Sequence, residues 1–237
     1  MGIYSMVAFF QKGGLFMYPI LLVFVAGMAI TLERWVKLNR IRSVNRTIWN
    51  LLQPVLVKGE FDKARAIINK DKSTISQMLG MGLARLGEVR RREDIEIAME
   101  ESMMEIIPQL EKRTPYVALL SNIATLLGLL GTIMGLIEAF TAVANANPAE
   151  KADLLSASIS VAMNTTAFGL MSAIPLLLFH AKLTSTTGQI VDSLEMASVK
   201  VLNSISSFNR RHFDSKSEVS DGSHTVPALN PSLGTAS

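Results

Sequence analysis

Between Arg113 and Glu138 the chain carries no charged residue. A helix over that run reaches roughly 36 Å at 1.5 Å per residue, enough to cross the hydrocarbon core of a bilayer. This stretch restricts the chain more than any other, because a backbone crossing lipid must satisfy its own hydrogen bonds, as a helix does. It is not uniformly greasy. Ser121, Thr125, Gly128, Thr132, Gly135, Ala139 and Ala142 step by three and four, so at about 100° per residue they share one face. Leu, Ile and Met cover the rest. A small, faintly polar front on an apolar helix calls for protein or a water path there, rather than lipid.

Composition agrees with a membrane chain. Of 237 residues 49% are apolar and 18% charged, and mean hydropathy is +0.32. Alternating β-branched and aromatic runs are too sparse for a barrel. There is no cysteine, which excludes a disulfide framework, a thiolate nucleophile and a cysteine metal site. His180, His212 and His224 are scattered, and neither a phosphate-binding glycine loop nor a hydrolytic triad is present. The reading is a non-enzyme without cofactor or metal site.

Two further uncharged runs complete the plan. Leu15–Leu32 forms the first, with Pro19 in its opening turn where a missing N–H costs little. A cleaved signal peptide is the competing reading, opposed by the full-span length and the lack of a basic start. Leu154–Leu183 is the third, uncharged until His180 and Lys182 and rich in hydroxyls and amide, with Pro175 predicting a kink or freed carbonyls. The expected fold is an all-α integral membrane protein, three transmembrane helices with long helical cytoplasmic extensions. Its segments are an interfacial piece (1–14), span one (15–36), a cytoplasmic helical domain (37–113), span two (114–144), a periplasmic turn (145–153), span three (154–183), a cytoplasmic extension (184–213) and a disordered tail (214–237).

Charge sets the expected orientation. Fifteen of the 23 Lys and Arg fall between Lys37 and Arg113, whereas only Lys12 precedes the first span. The positive-inside rule places the N-terminus outside and the C-terminus in the cytoplasm. Arg90, Arg91 and Arg92 then read as a solvated turn beside anionic headgroups, not as a nucleic-acid site. Within the cytoplasmic domain, Asp62–Asn69, Thr74–Leu86 and Glu93–Lys112 read as helices, with Pro108 a candidate kink in the last.

GLLGTIMGLIEAF (Gly128–Phe140) resembles the GLLGT signature of the MotA/TolQ/ExbB family of ion-channel subunits. TTAFGLMSAIPLLLF (Thr165–Phe179) is similar to that family's third-span stretch, and LERW (Leu32–Trp35) to the ExbB/TolQ pattern after the first span. Three spans point to the ExbB/TolQ side. The resemblance implies a pentamer in the bacterial inner membrane, where the outside that holds the N-terminus is the periplasm, around two copies of a single-span ExbD/TolR-like partner bearing a membrane aspartate. Proton or sodium flow past that aspartate would drive rotation and so energise envelope transport or related work. Thr132 matches the family's pore threonine, and Thr166 the threonine of the third span.

The residues themselves leave alternatives. Thr132, Thr165, Thr166 and Asn164 supply oxygens for an ion path, but threonines in spans also back-bond to their own helices. Gly128, Gly131 and Gly135 serve close helix packing, and Pro175 bends a helix for packing as well as for function. Asn164 can equally bridge neighbouring subunits. Glu138, the acid in these two helices, stands near the outer mouth, where it attracts cations or marks an interface. Neither span has a central carboxylate, so an acid must come from a partner. Those relatives often carry a glutamate five residues before the third-span threonine, and here that position is Val161. The oxygens around Thr132, Thr165 and Thr166 suit transient sodium as well as protons, so the ion stays open. A non-conducting membrane scaffold is the rival function. A stand-alone secondary transporter lacks the expected intramembrane charge and inverted repeat.

Overall fold

The computed structural model describes residues 14–86 and 91–221, with side chains through Phe208 and at Arg210. The interfacial piece (1–14) and Arg90 therefore lie essentially outside the described residues, as do 222–237. Six helices follow in order: α1 (Met17–Val57), α2 (Phe61–Asn69), α3 (Thr74–Arg85), α4 (Arg92–Glu111), α5 (Thr114–Asn145) and α6 (Lys151–Asp221). Among the described residues there is no strand, and three helical stretches are long and apolar enough to cross a membrane. The protein is all-α.

Local chemistry explains the helix ends. α1 runs on past its apolar part because nothing from Glu33 to Gln53 breaks a helix, and Pro54 falls in the closing turns. Gly59 then adopts a left-handed φ of 78°, where a glycine costs least. Its N–H donates to Leu56 (3.0 Å) and that of Glu60 to Val55 (3.1 Å), which is the paired closure of a Schellman motif. Ser73 caps α3 by accepting from the Ser76 amide at 3.3 Å. Pro108 lies inside α4, and the helix continues through it. The break comes instead at Arg113, a non-glycine residue at φ 67°, just ahead of Pro115 in the first turn of α5.

Two boundaries differ from the sequence expectation. The turn between α5 and α6 is shorter than 145–153, because Asn145 closes one helix and Lys151 opens the next. α6 also continues to Asp221, past the expected end at 213. No glycine or proline occurs between Gly188 and Gly222 except at those ends, so no breaker stops the helix earlier. Pro175 does not interrupt α6 either.

The chain divides into two compact units. The first comprises residues 1–47 and 102–194. There α1, α5 and α6 meet at Ile20, Ala124 and Ala173, flanked by Val23, Leu127 and Phe168. Arg34, 1% exposed, donates to the carbonyl of Leu110. Beside it Arg113 pairs with Glu33 at 2.7 Å, a half-exposed bridge. Long apolar side chains face outward on all three helices, among them Leu22, Leu126, Phe140 and Leu178. So much exposed aliphatic surface requires lipid or neighbouring subunits.

The second unit comprises 48–101 and 195–237. α2 and α3 pack as a hairpin held by Arg65, whose guanidinium donates to the carbonyls of Leu83 (2.9 Å) and Leu86 (2.7 Å). Phe61 meets Phe208 edge to face at 5.4 Å, and the Lys200 ammonium lies 5.7 Å from the Trp49 ring.

Candidate functional site

The buried line of α5 is Val117, Ser121, Ala124, Gly128, Gly131, Gly135 and Ala139. It overlaps the polar stripe expected from the sequence without coinciding with it. Thr125 and Ala142 are exposed and Thr132 half-buried, so the packed face is rotated toward Ala124 and Gly131. α6 of the same chain fills this face. A Cβ on Gly128 would lie 3.2 Å from the Cα of Gly169, and one on Gly135 would lie 2.8 Å from the Cβ of Ala162. At Gly131 it would reach Thr165 Cβ at 3.1 Å and Phe16 Cβ at 3.3 Å. Backbones this close need small residues on both sides. The reading of α5 named its glycines but not Gly169, Ala162 or Ala173 opposite. The signal for them is their own three-to-four spacing along α6, at 162, 165, 169 and 173.

On this packed seam the hydroxyls converge. Thr132 on α5 and Thr166 on α6 are in direct hydrogen-bond contact. Each also lies within hydrogen-bonding reach of one acceptor, the Gly128 carbonyl, at 3.3 Å and 2.9 Å, and with one proton apiece one hydroxyl donates to the other while the second donates to that carbonyl. The absence of a side chain at Gly128 gives Thr166 access to that carbonyl from the neighbouring helix. Thr165 is buried and its hydroxyl donates to the Val161 carbonyl at 3.0 Å. The back-bonding expected of intramembrane threonines is thus present, and for Thr132 and Thr166 it coexists with a bridge between helices. Toward the other end of the seam, the Ser121 hydroxyl donates to the Ala173 carbonyl at 2.7 Å.

Other expected site residues stand apart from this pair. Asn164 is half-buried, one position before Thr165 and so on a different face of α6 from Thr166. Glu138 is exposed, six residues beyond Thr132. Pro175 is half-buried, two residues after the carbonyl that receives Ser121. Among the described residues no cluster of three His, Asp or Glu could hold a metal. The chemistry on the seam is that of neutral hydroxyls and carbonyls, which can ligate a cation or pass a proton along but cannot themselves hold a charge.

Three lipid-length helices, with a hydroxyl pair bridging the second and third, define an all-α protein of the membrane-spanning type. The chain belongs to the MotA/TolQ/ExbB proton channel family, whose model matches residues 70–196. It is 27% identical over 192 residues to an ExbB homolog of biopolymer transport from Methanothermobacter thermautotrophicus, covering 79% of this chain and 66% of that one. An ExbB-like biopolymer transport protein from Synechocystis is 27% identical over 190 residues, 77% of this chain and 72% of that one. The Tol-Pal system protein TolQ of Haemophilus influenzae is 34% identical over 86 residues, 36% of this chain and 37% of its own. The matched region thus spans just under two thirds of the Methanothermobacter relative and little over one third of TolQ. The family is one of proton channels, which is not an enzyme class.

Proposed function

We propose that this chain is the ion-conducting stator subunit of an inner-membrane rotary motor. It couples proton or sodium motive force to envelope transport or related work, together with a single-span ExbD/TolR-like partner. The observation that carries this reading is the Thr132–Thr166 pair, set on facing helices over the Gly128 carbonyl. Hydroxyls so placed offer oxygen ligands in hydrocarbon at far lower cost than a charge. They do not titrate, so the ionisable group is assigned to an aspartate of the partner. In this reading residues 15–36, 114–144 and 154–183 cross the bilayer, and 37–113 and 184–213 stand in the cytoplasm. The N-terminus and the α5–α6 turn lie in the periplasm. The outward aliphatic surface is covered by lipid and by further copies, five around two partners.

The test is ion flux in vesicles containing the full chain with whatever subunit copurifies. Thr132→Val and Thr166→Val keep the shape but remove the hydroxyls, and flux should fall toward background while the assembly keeps its size. Unchanged flux in both variants would sink the pore assignment. The rival scaffold draws on the extensive glycine packing between α5 and α6. It requires a complex of normal size that passes no ion even as wild type.

A further inference from the structure

Where α4 gives way to α5, a cavity of about 460 Å³ opens against α6. Its polar lining is Glu111, Thr114, His180, Thr184, Thr187 and Asp192. Glu111, Thr184 and Asp192 are exposed and form a rim, whereas Thr114 and Thr187 are each 5% exposed and form the wall. Both wall hydroxyls are buried without any hydrogen-bond partner. A buried unsatisfied hydroxyl costs about 1–3 kcal/mol, so two on one cavity wall point to a ligand or water that they normally hold.

Charge selects what that ligand is. Two carboxylates, Glu111 and Asp192, stand on the rim. Of the neighbouring cations, Arg34 is engaged by the Leu110 carbonyl and Arg113 by Glu33, Lys112 and Lys182 are exposed and outside the lining, and His180 shares it. Helical register ties the cavity to the threonine seam. Thr114 precedes Thr132 by eighteen residues and Thr184 follows Thr166 by eighteen, five whole turns on each helix, so each pair shares a face. Ser121 and Thr125 lie between them on α5, and Ser121 bonds across to α6.

We propose that this cavity is a cation vestibule, where a hydrated monovalent cation or a hydrated proton passes between solvent and the Thr132–Thr166 seam. The vestibule rests on the pore reading of that seam and extends it to the cytoplasmic end of the spans. Glu111 and Asp192 concentrate the cation, and Thr114 and Thr187 replace part of its water.

The chain has no cysteine, so a single Thr184→Cys substitution reports on the cavity alone. In the full chain with its copurifying subunit, the ratio of that thiol's modification rates by a cationic and an anionic methanethiosulfonate should exceed the same ratio for a free thiol by about tenfold, the scale expected of a charged cleft. Adding Glu111→Gln and Asp192→Asn should bring the ratio close to that of a free thiol. A ratio insensitive to those two changes overturns the vestibule. Vesicle flux separates the two readings. Loss in Thr132→Val with full flux in both Thr187→Val and the Glu111→Gln, Asp192→Asn pair overturns the vestibule and leaves the pore. Full flux in Thr132→Val and Thr166→Val overturns the pore, and the vestibule as its mouth with it. Assembly size, read alongside, identifies a variant that has merely failed to fold, and Thr184, being exposed, keeps the thiol measurement independent of that.

Discussion

The Ser121 hydroxyl donates to the carbonyl of Ala173 at 2.7 Å, a side-chain bond between two membrane helices of one chain. Ser121 is wholly buried, and Ala173 belongs to the cluster where α1, α5 and α6 meet. The bond therefore fixes the height of α5 against α6 at one end of the seam, as the Thr132–Thr166 pair does at the other. Ser121→Ala should cost about 1 kcal/mol, the usual size of such a bond in a membrane. Thermal unfolding in detergent, compared with Ser121→Thr, measures it. No loss for Ala would mean that packing alone sets the register.

Glycine packing makes a sharper contrast. A Cβ on Gly169 would stand 2.9 Å from both the Ala124 carbonyl oxygen and the Gly128 Cα, which are backbone atoms that cannot swing aside. A Cβ on Gly188, further along the same helix, would meet nothing within 4 Å. Gly169→Ala should therefore separate the helices and lower the unfolding temperature. Gly188→Ala should leave it unchanged or raise it, since alanine favours a helix by about 1 kcal/mol over glycine. Equal effects would show that the seam is looser than its backbone spacing implies.

Much of this architecture is legible in the sequence, because its signals are local. Uncharged runs mark the three long helices, and apolar spacing places Phe61–Asn69 and Thr74–Arg85 within a residue of where they lie. What escapes is whatever depends on a partner helix. The stripe on α5 has the right composition, but its buried line is set by Gly169, Ala162 and Ala173, whose smallness on α6 is hidden among that span's hydroxyls. Arg34, a charge at the end of the first span (15–36), gives no sign in the sequence that it is buried on the Leu110 carbonyl. Thr132 and Thr166 stand out through a family motif, while their shared acceptor is visible only in three dimensions.

At the start of α3 the Asp71 carboxylate accepts from the Ser73 amide (3.0 Å) and the Ser76 hydroxyl (2.9 Å). The Ser73 hydroxyl is the largest cause holding its pKa below the usual carboxylate value, against the opposing pull of partial burial. A depressed folded pKa stabilises above the unfolded value of about 3.9 and loses that effect as pH falls through the lower folded one. Wild type should thus lose stability relative to Asp71→Asn on acidification below about pH 4. Proteolysis of the α2–α3 region at matched pH reads the difference, and parallel curves would refute it.

Topology has a direct assay. The bases between Lys37 and Arg113 predict that Asp71 is cytoplasmic, and Asn147, in the short turn after α5, periplasmic. A periplasm-active reporter fused at Asn147 should be active and one at Asp71 silent. The opposite pattern would reverse the orientation and the direction of ion flow, and would move the cavity near Thr187 to the outer end.

The identity of the ion turns on oxygens rather than acids. Val161 stands where a titratable residue would serve a proton relay, and its carbonyl instead receives the Thr165 hydroxyl at 3.0 Å. Sodium gives up its water only to several oxygens together, and the Thr132 and Thr166 hydroxyls with the Gly128 carbonyl between them can supply some of these beside a partner carboxylate. Thr165→Ala releases the Val161 carbonyl from that bond and opens space against Gly131, so it disturbs the oxygen set without adding charge. If sodium is the coupling ion, this variant should need more sodium for the same flux, while Thr165→Ser, which keeps the hydroxyl, should stay near wild type. Flux measured with sodium replaced by potassium at fixed proton-motive force gives the deciding comparison. Persistence without sodium, together with collapse on adding a protonophore, would assign the pathway to protons.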